Sequence, residues 1–124
     1  MYKTVLYTFL LIFFFTFLTY SSNGGFVDKS LGFVASCDMR ATTNQCYDFR
    51  GNGWSGKDDA KMVCEMHKGI YADSACPVND DMIGSCSNTT KKRRNDKEII
   101  FVFYKPALVE HAEMGCKDNF IPKK

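Results

Sequence analysis

No two of the six cysteines stand closer than nine positions apart. That absence excludes the usual structural zinc site, which wants close ligand pairs such as C-x-x-C followed by a second pair. One C-x-x-H occurs, Cys64 and His67, and no second pair answers it. An excess of one charge is missing too. Lys and Arg number 16, Asp and Glu 14, and one of the 16 is Lys3 near the N-terminus, so the rest is within one charge of neutral. General nucleic-acid binders carry a clear basic excess, and that class is set aside. There are only two histidines, His67 and His111, and no Ser, His and carboxylate form a recognisable nucleophile motif.

Charged residues are also absent from Val5 to Leu18, "VLYTFLLIFFFTFL". A short n-region with Lys3 precedes this run and small residues, Ser21 and Ser22, follow it. This is the layout of a secretory signal peptide over residues 1–22. A spanning helix needs about 20 apolar residues, so the run is short for an anchor. No cysteine lies near the cleavage point to accept a lipid. We therefore expect a secreted or periplasmic chain with no transmembrane anchor after cleavage. We expect a flexible segment over 23–35 and one cysteine-rich domain over 36–124.

All six cysteines, Cys37, Cys46, Cys64, Cys76, Cys86 and Cys116, lie in that domain. An even count in a short exported chain signals a disulfide framework. Fifteen pairings are possible. Short loops favour the consecutive one: Cys37–Cys46, Cys64–Cys76 and Cys86–Cys116.

The domain repeats itself. "AKMVC", ending at Cys64, is answered by "AEMGC", ending at Cys116, and each is soon followed by an aromatic and apolar pair. Cys37, Cys46 and Cys64 are answered in order by Cys76, Cys86 and Cys116. Pseudo-repeats over 37–75 and 76–122 follow.

Periodicity supplies the elements. Ala60, Val63, Cys64 and His67 share one face of a helix that begins near Ser55 with a capping-box-like Asp58 and stops at Lys68-Gly69. A second helix follows Pro106, with Leu108, Ala112 and Cys116 as its buried stripe. "IIFVFY", Ile99–Tyr104, reads as a central strand covered on both sides. It pairs with "MIGSC" across a polar tip, and "ASCDM" pairs with a half-buried "QCYDF" across "RATTN". The expected fold is α+β: two β-hairpin-plus-helix units packed on an antiparallel sheet and held by disulfides.

"SCDMRATTNQCYDFRG", "CEMHKGIYADSACP", "IGSC", the aromatic strand and the final A-x-x-x-C helix resemble small exported cysteine-rich proteins of bacteria, closest to those of spirochaetes such as Leptospira. The resemblance covers nearly all of the mature chain. Its shorter relatives imply that Cys37 and Cys46 pair with each other. It implies no activity.

Few residues invite a functional reading. His67 on an apolar helix face is more often packed than catalytic. Asp58-Asp59 and Asp80-Asp81 are explained by helix dipole and turn chemistry. Trp54 reads first as a staple over the helix start, and second as a partner anchor. Asn88-Thr89-Thr90 fits a glycosylation sequon, relevant in a eukaryotic source. Lys91, Lys92, Arg93 and Arg94 form the one dense charge run. It is a solvated hairpin tip that shields a sticky strand, or a contact for anionic polymer or lipid headgroups. The expectation is a non-catalytic binding or interaction module, monomeric, without metal or cofactor, whose partner is a protein or an anionic glycan or lipid surface. A small secreted enzyme or enzyme inhibitor is the alternative. A cleft holding His67 or His111 beside a carboxylate would favour it.

Overall fold

The computed structural model describes residues 31–90 and 96–124. The expected signal peptide, most of the expected flexible segment and the basic run Lys91–Arg94 lie outside the described residues. The elements are β1 (Phe33–Met39), α1 (Arg40–Thr43), β2 (Gln45–Arg50), α2 (Lys57–Met66), β3 (Ile70–Ala72), β4 (Met82–Thr90), β5 (Lys97–Tyr104), α3 (Val109–Cys116), a 3-10 turn (Lys117–Asn119) and β6 (Ile121–Pro122). Strand β1 begins at Phe33, three residues before the expected domain boundary. The strands form one antiparallel sheet in the order β3-β1-β2-β5-β4-β6. The fold is α+β, with two hairpin-plus-helix units sharing that sheet.

Both expected hairpins form. "ASCDM" pairs with "QCYDF", and Asn44 closes the turn between them in the left-handed region, φ 58°. Asn tolerates that conformation because its short polar side chain bonds locally. "MIGSC" pairs with the aromatic strand, and both strands run on further, to Thr90 and from Lys97.

Register decides the rest. Cys37 stands opposite Tyr47, Tyr47 opposite Phe101, and Phe101 opposite Cys86. Cross-strand partners share a face, so this row of four points to one side of the sheet. Cys37 bonds to Cys64 of α2, and Cys86 bonds to Cys116 of α3. Both helices therefore lie on the same face, one at each end of the row. Ala60 and Ala112, one turn before each helix cysteine, are fully covered where the helix meets the sheet. Between the helices, the Tyr47 and Phe101 rings meet edge to face at 4.7 Å.

The second face is closed differently. Cys46 stands opposite Asp38, the neighbour of Cys37, so Cys46 points the other way. It bonds to Cys76 and pins the 73–81 segment across this face. Beneath lie Met82, Ile100, Val102 and Tyr104, all buried. Three side chains of the sheet also hold the segment. The Ser36 hydroxyl donates to Ser74 O at 2.6 Å, the Cys76 N–H donates to Asp48 Oδ1 at 2.7 Å, and the Tyr104 hydroxyl donates to Pro77 O at 2.6 Å.

This geometry corrects the expected pairing. Cys86–Cys116 is found, but Cys37–Cys46 and Cys64–Cys76 are not. Cys37 and Cys46 are close in sequence yet on opposite faces, and the sheet stands between Cys64 and Cys76. Cys37 and Cys86 each tie the first strand of a hairpin to the following helix, whereas the sequence order had set Cys86 against Cys46.

The helix ends also differ. His67 sits just past α2 and is exposed, so it leaves the apolar face. The Ser55 N–H donates to Asp59 at 3.0 Å, one residue beyond the expected capping partner. Pro106 lies in the turn before α3, and Leu108 is 56% exposed, which leaves Ala112 and Cys116 as the buried stripe. Gly69 ends the α2 connection against the Cys37–Cys64 bridge, where a Cβ would overlap both sulfurs and the Met39 side chain.

Non-reducing peptide mapping should yield Cys37–Cys64, Cys46–Cys76 and Cys86–Cys116. A peptide linking Cys37 to Cys46 would overturn the register. Replacing Cys46 and Cys76 together by Ala opens a loop of 30 residues. The expected cost is about 3–4 kcal/mol of unfolding free energy. Gly69→Ala should cost roughly 1–3 kcal/mol by overpacking, read from the shift in denaturation midpoint. A stability equal to that of the natural chain would show that the bridge yields there.

Candidate functional site

The residues singled out in the sequence disperse. All six cysteines are in bridges. His67 meets the Tyr47 ring at 6.1 Å, and His111 is exposed on α3. Trp54 is buried, donates to Arg50 O at 2.9 Å, and packs edge to face on Phe49 at 4.9 Å. Lys97 Nζ lies 4.6 Å over its ring. Asp58 is exposed, and Asp80 faces Lys123 at 3.8 Å. Asn88 is exposed on β4. Among the described residues, no group of three or more His, Cys, Asp or Glu side chains could hold a metal ion.

The structure instead assembles charges at the turn end of the first hairpin. Asp38 is the last second-face residue of β1 before the chain enters α1. Arg40 follows two residues on and folds back over it. Its Nε donates to Oδ1 and Oδ2 at 3.0 and 3.1 Å, its Nη2 donates to Oδ2 at 2.6 Å, and its backbone N–H donates to Oδ1 at 3.0 Å. The guanidinium lies 5.4 Å over the Tyr104 ring. Tyr104 ends the aromatic strand and is itself fixed by Pro77. The Lys105 N–H donates to Asp81 O at 2.7 Å, which closes the rim. The result is an open cleft of about 320 Å³, lined by Asp38, Arg40, Ile70, Asp81, Tyr104 and Lys105.

The electrostatics follow from these bonds. The Arg40 hydrogen bonds hold the Asp38 carboxyl below its ordinary value, and Asp38 raises Arg40 in return. Burial pushes the Tyr104 phenol well above the usual tyrosine range. Asp38 and Arg40 thus stay charged and tied together, and Tyr104 stays neutral with its proton on a carbonyl. The cleft can present fixed charge and an aromatic edge to a ligand. Neither histidine lines it.

A second polar group lies on the same face, nearer the hairpin tip. Asp48, Arg50 and Glu98 are buried. Arg50 Nη2 is 3.5 Å from Asp48 Oδ2, and Arg50 Nη1 donates to Leu31 O at 3.1 Å. The Ser87 and Thr89 hydroxyls donate to Glu98 Oε2 at 2.7 and 3.2 Å. Sequence reasoning passed over Asp38, Arg40, Asp48 and Glu98. The D-x-R spacing at a strand end was the available signal for the first pair. An acidic residue inside an apolar strand was the signal for the others.

Comparison of the chain with protein-family models, with characterised proteins and with solved structures finds no match.

Arg40→Ala tests the cleft. The depressed Asp38 value means that its ion pair stabilises the fold above the ordinary 3.8, and that this contribution is lost as pH falls through the folded value. The variant should be less stable by about 1 kcal/mol at neutral pH. The ion-pair part of the difference should vanish in acid, while the Asp38 carboxyl titrates at higher pH in the variant. An unchanged Asp38 titration by NMR would show that Arg40 is not its partner in solution.

Proposed function

We propose that this chain is an exported, disulfide-held binding or interaction module, working in an oxidising compartment outside the cytoplasm. The observation that carries the reading is the state of the charged groups in the cleft. Arg40 and Asp38 satisfy each other, and the Tyr104 proton is committed to Pro77. A catalytic site keeps a group free and poised near neutral pH to move a proton or attack a bond. A recognition surface keeps its charges fixed and preorganised, as Arg40 and Asp38 are here. Three disulfides fit an oxidising compartment. Among the described residues, no helix is long and apolar enough to cross a membrane. The likeness to small exported cysteine-rich proteins of bacteria agrees with this reading and adds no activity to it.

The ligand class rests on charge. Lys91, Lys92, Arg93 and Arg94 are consecutive in a chain otherwise close to neutral. They give the module its affinity for anionic glycan or lipid headgroups, a contact that salt weakens. The duplication expected from the sequence belongs to the same reading. Each unit runs hairpin, helix, short edge strand, with a bridge from first strand to helix, and this order supports descent from one ancestral unit.

A heparin column decides the ligand class. The natural chain should elute at higher salt than a version with all four basic residues changed to Ser. Elution of both at the same salt concentration would reduce the tip to a solvated turn.

A further inference from the structure

β6 is two residues long and covers only Gly84 and Ser85 of β4, whereas β4 continues to Thr90. The pairing at that edge fixes which main-chain groups face outward. The Lys123 N–H donates to Ile83 O at 2.9 Å, and Ser85 stands opposite Ile121. Strand groups alternate with a period of two, so the N–H and C=O of Ser87 and Thr89 point to the same outer side. Among the described residues no strand pairs with them. Their inward neighbours, Cys86 and Asn88, face β5.

This uncovered stretch is held straight from the side. Glu98, buried on the neighbouring strand, accepts both the Ser87 and the Thr89 hydroxyls. An edge fixed in extended form loses little entropy when something pairs with it. Beside it is a depression of about 480 Å³, lined by Ser87, Asn88, Thr89, Asn119 and Ile121. Ordinary edge protection is missing here: between Ser87 and Thr90 there is no Pro and no charged residue.

We propose that the outer edge of β4 at Ser87–Thr89 takes an extended peptide segment of a partner protein as an added strand, in line with β6 and antiparallel to β4. Main-chain bonds to Ser87 and Thr89 supply the affinity, as in other strand additions. The lining chooses the side chains. Small β-branched residues fit against the Asn88 and Asn119 amides and Ile121. Thr90 is followed in the sequence by four basic residues, so the peptide's N-terminal end, which lies past Thr90, is acidic by charge complementarity. The inference is independent of heparin affinity. It names a protein strand as partner, where the tip alone would suit any polyanion.

The test uses the full mature chain and an acetylated, amidated Glu-Glu-Thr-Val-Thr-Val peptide. Amide hydrogen exchange at Ser87 and Thr89 is followed by NMR. Both amides should exchange fast in the free protein and slow by about tenfold at 90% occupancy, in proportion to the bound fraction, while Cys86 and Asn88 stay as they were. Thr89→Pro removes an outward N–H and leaves the β5 ladder untouched. It should abolish protection at Ser87. Thr89→Ala loses the hydroxyl to Glu98 but keeps the N–H, and should retain it. A peptide N-methylated at its pairing positions gives the same loss with the natural chain, should the proline variant misfold. Changing Lys91–Arg94 to Ser should weaken the protection and still leave it detectable. Unchanged exchange at both amides with the peptide would sink the proposal. Protection that is present without peptide and grows with protein concentration would replace it with edge-to-edge pairing of two copies.

Discussion

Both longer helices and the irregular segment across the second face are each fastened to a strand by one cysteine pair. α2 is tied to β1, the 73–81 segment to β2, and α3 to β4. The dependence has a physical origin. Each helix buries little more than an alanine and a cysteine. Two such side chains cannot hold a helix of eight or ten residues onto a sheet against the entropy of ordering it. A closed loop of about 30 residues removes some 3–4 kcal/mol of chain entropy from the unfolded state. That sum is comparable with the whole stability of a small domain. The apolar core is divided into three small clusters, each built around one bridge.

Much of this was legible. The central place of Ile99–Tyr104 follows from its continuous apolar run, and the two hairpins and the Ala-x-x-x-Cys helices follow from alternation and helical spacing that survive into the structure. Cysteine pairing did not follow, for a definite reason. Whether Cys37 and Cys46 share a face depends on hairpin register, and a shift of one residue reverses it. The length of "RATTN" alone does not reveal that register, because α1 and Asn44 use those residues in a helical turn. Local rules also misplaced the start of α3. Pro106 suits a first helical position, but the residues after it complete a turn on Tyr104, with the Ala107 N–H donating to Tyr104 O. The cleft was invisible for a similar reason. Arg40 meets Asp38 through the turn, whereas Tyr104, Asp81 and Lys105 arrive from far along the chain.

The two faces of the sheet solve the same problem with different chemistry. The helix face is apolar and aromatic, with Tyr47, Phe49 and Phe101 along its centre. The other face mixes Ile100 and Val102 with Ser36, Asp48 and Glu98, all buried. A polar group taken from water costs free energy unless it finds a partner. Here the partners are main-chain groups of an irregular segment and hydroxyls of the next strand. Apolar contacts would cover that face as well, but they carry no direction. Hydrogen bonds to Ser74, Cys76 and Pro77 set the path of a segment that has no secondary structure to set it.

No bridge joins the two hairpin-plus-helix units. Cys37, Cys46, Cys64 and Cys76 all precede β4 and pair among themselves, and Cys86, within β4, pairs with Cys116. A polypeptide is made N-terminus first. The native mates of the first four thiols are therefore all in place before the last two are made. Once those four have paired, the later pair has no rival thiol left free. Oxidation in step with emergence of the chain would meet no mispairing across the units, and a product cut between them would keep its native cross-links on both sides of the cut.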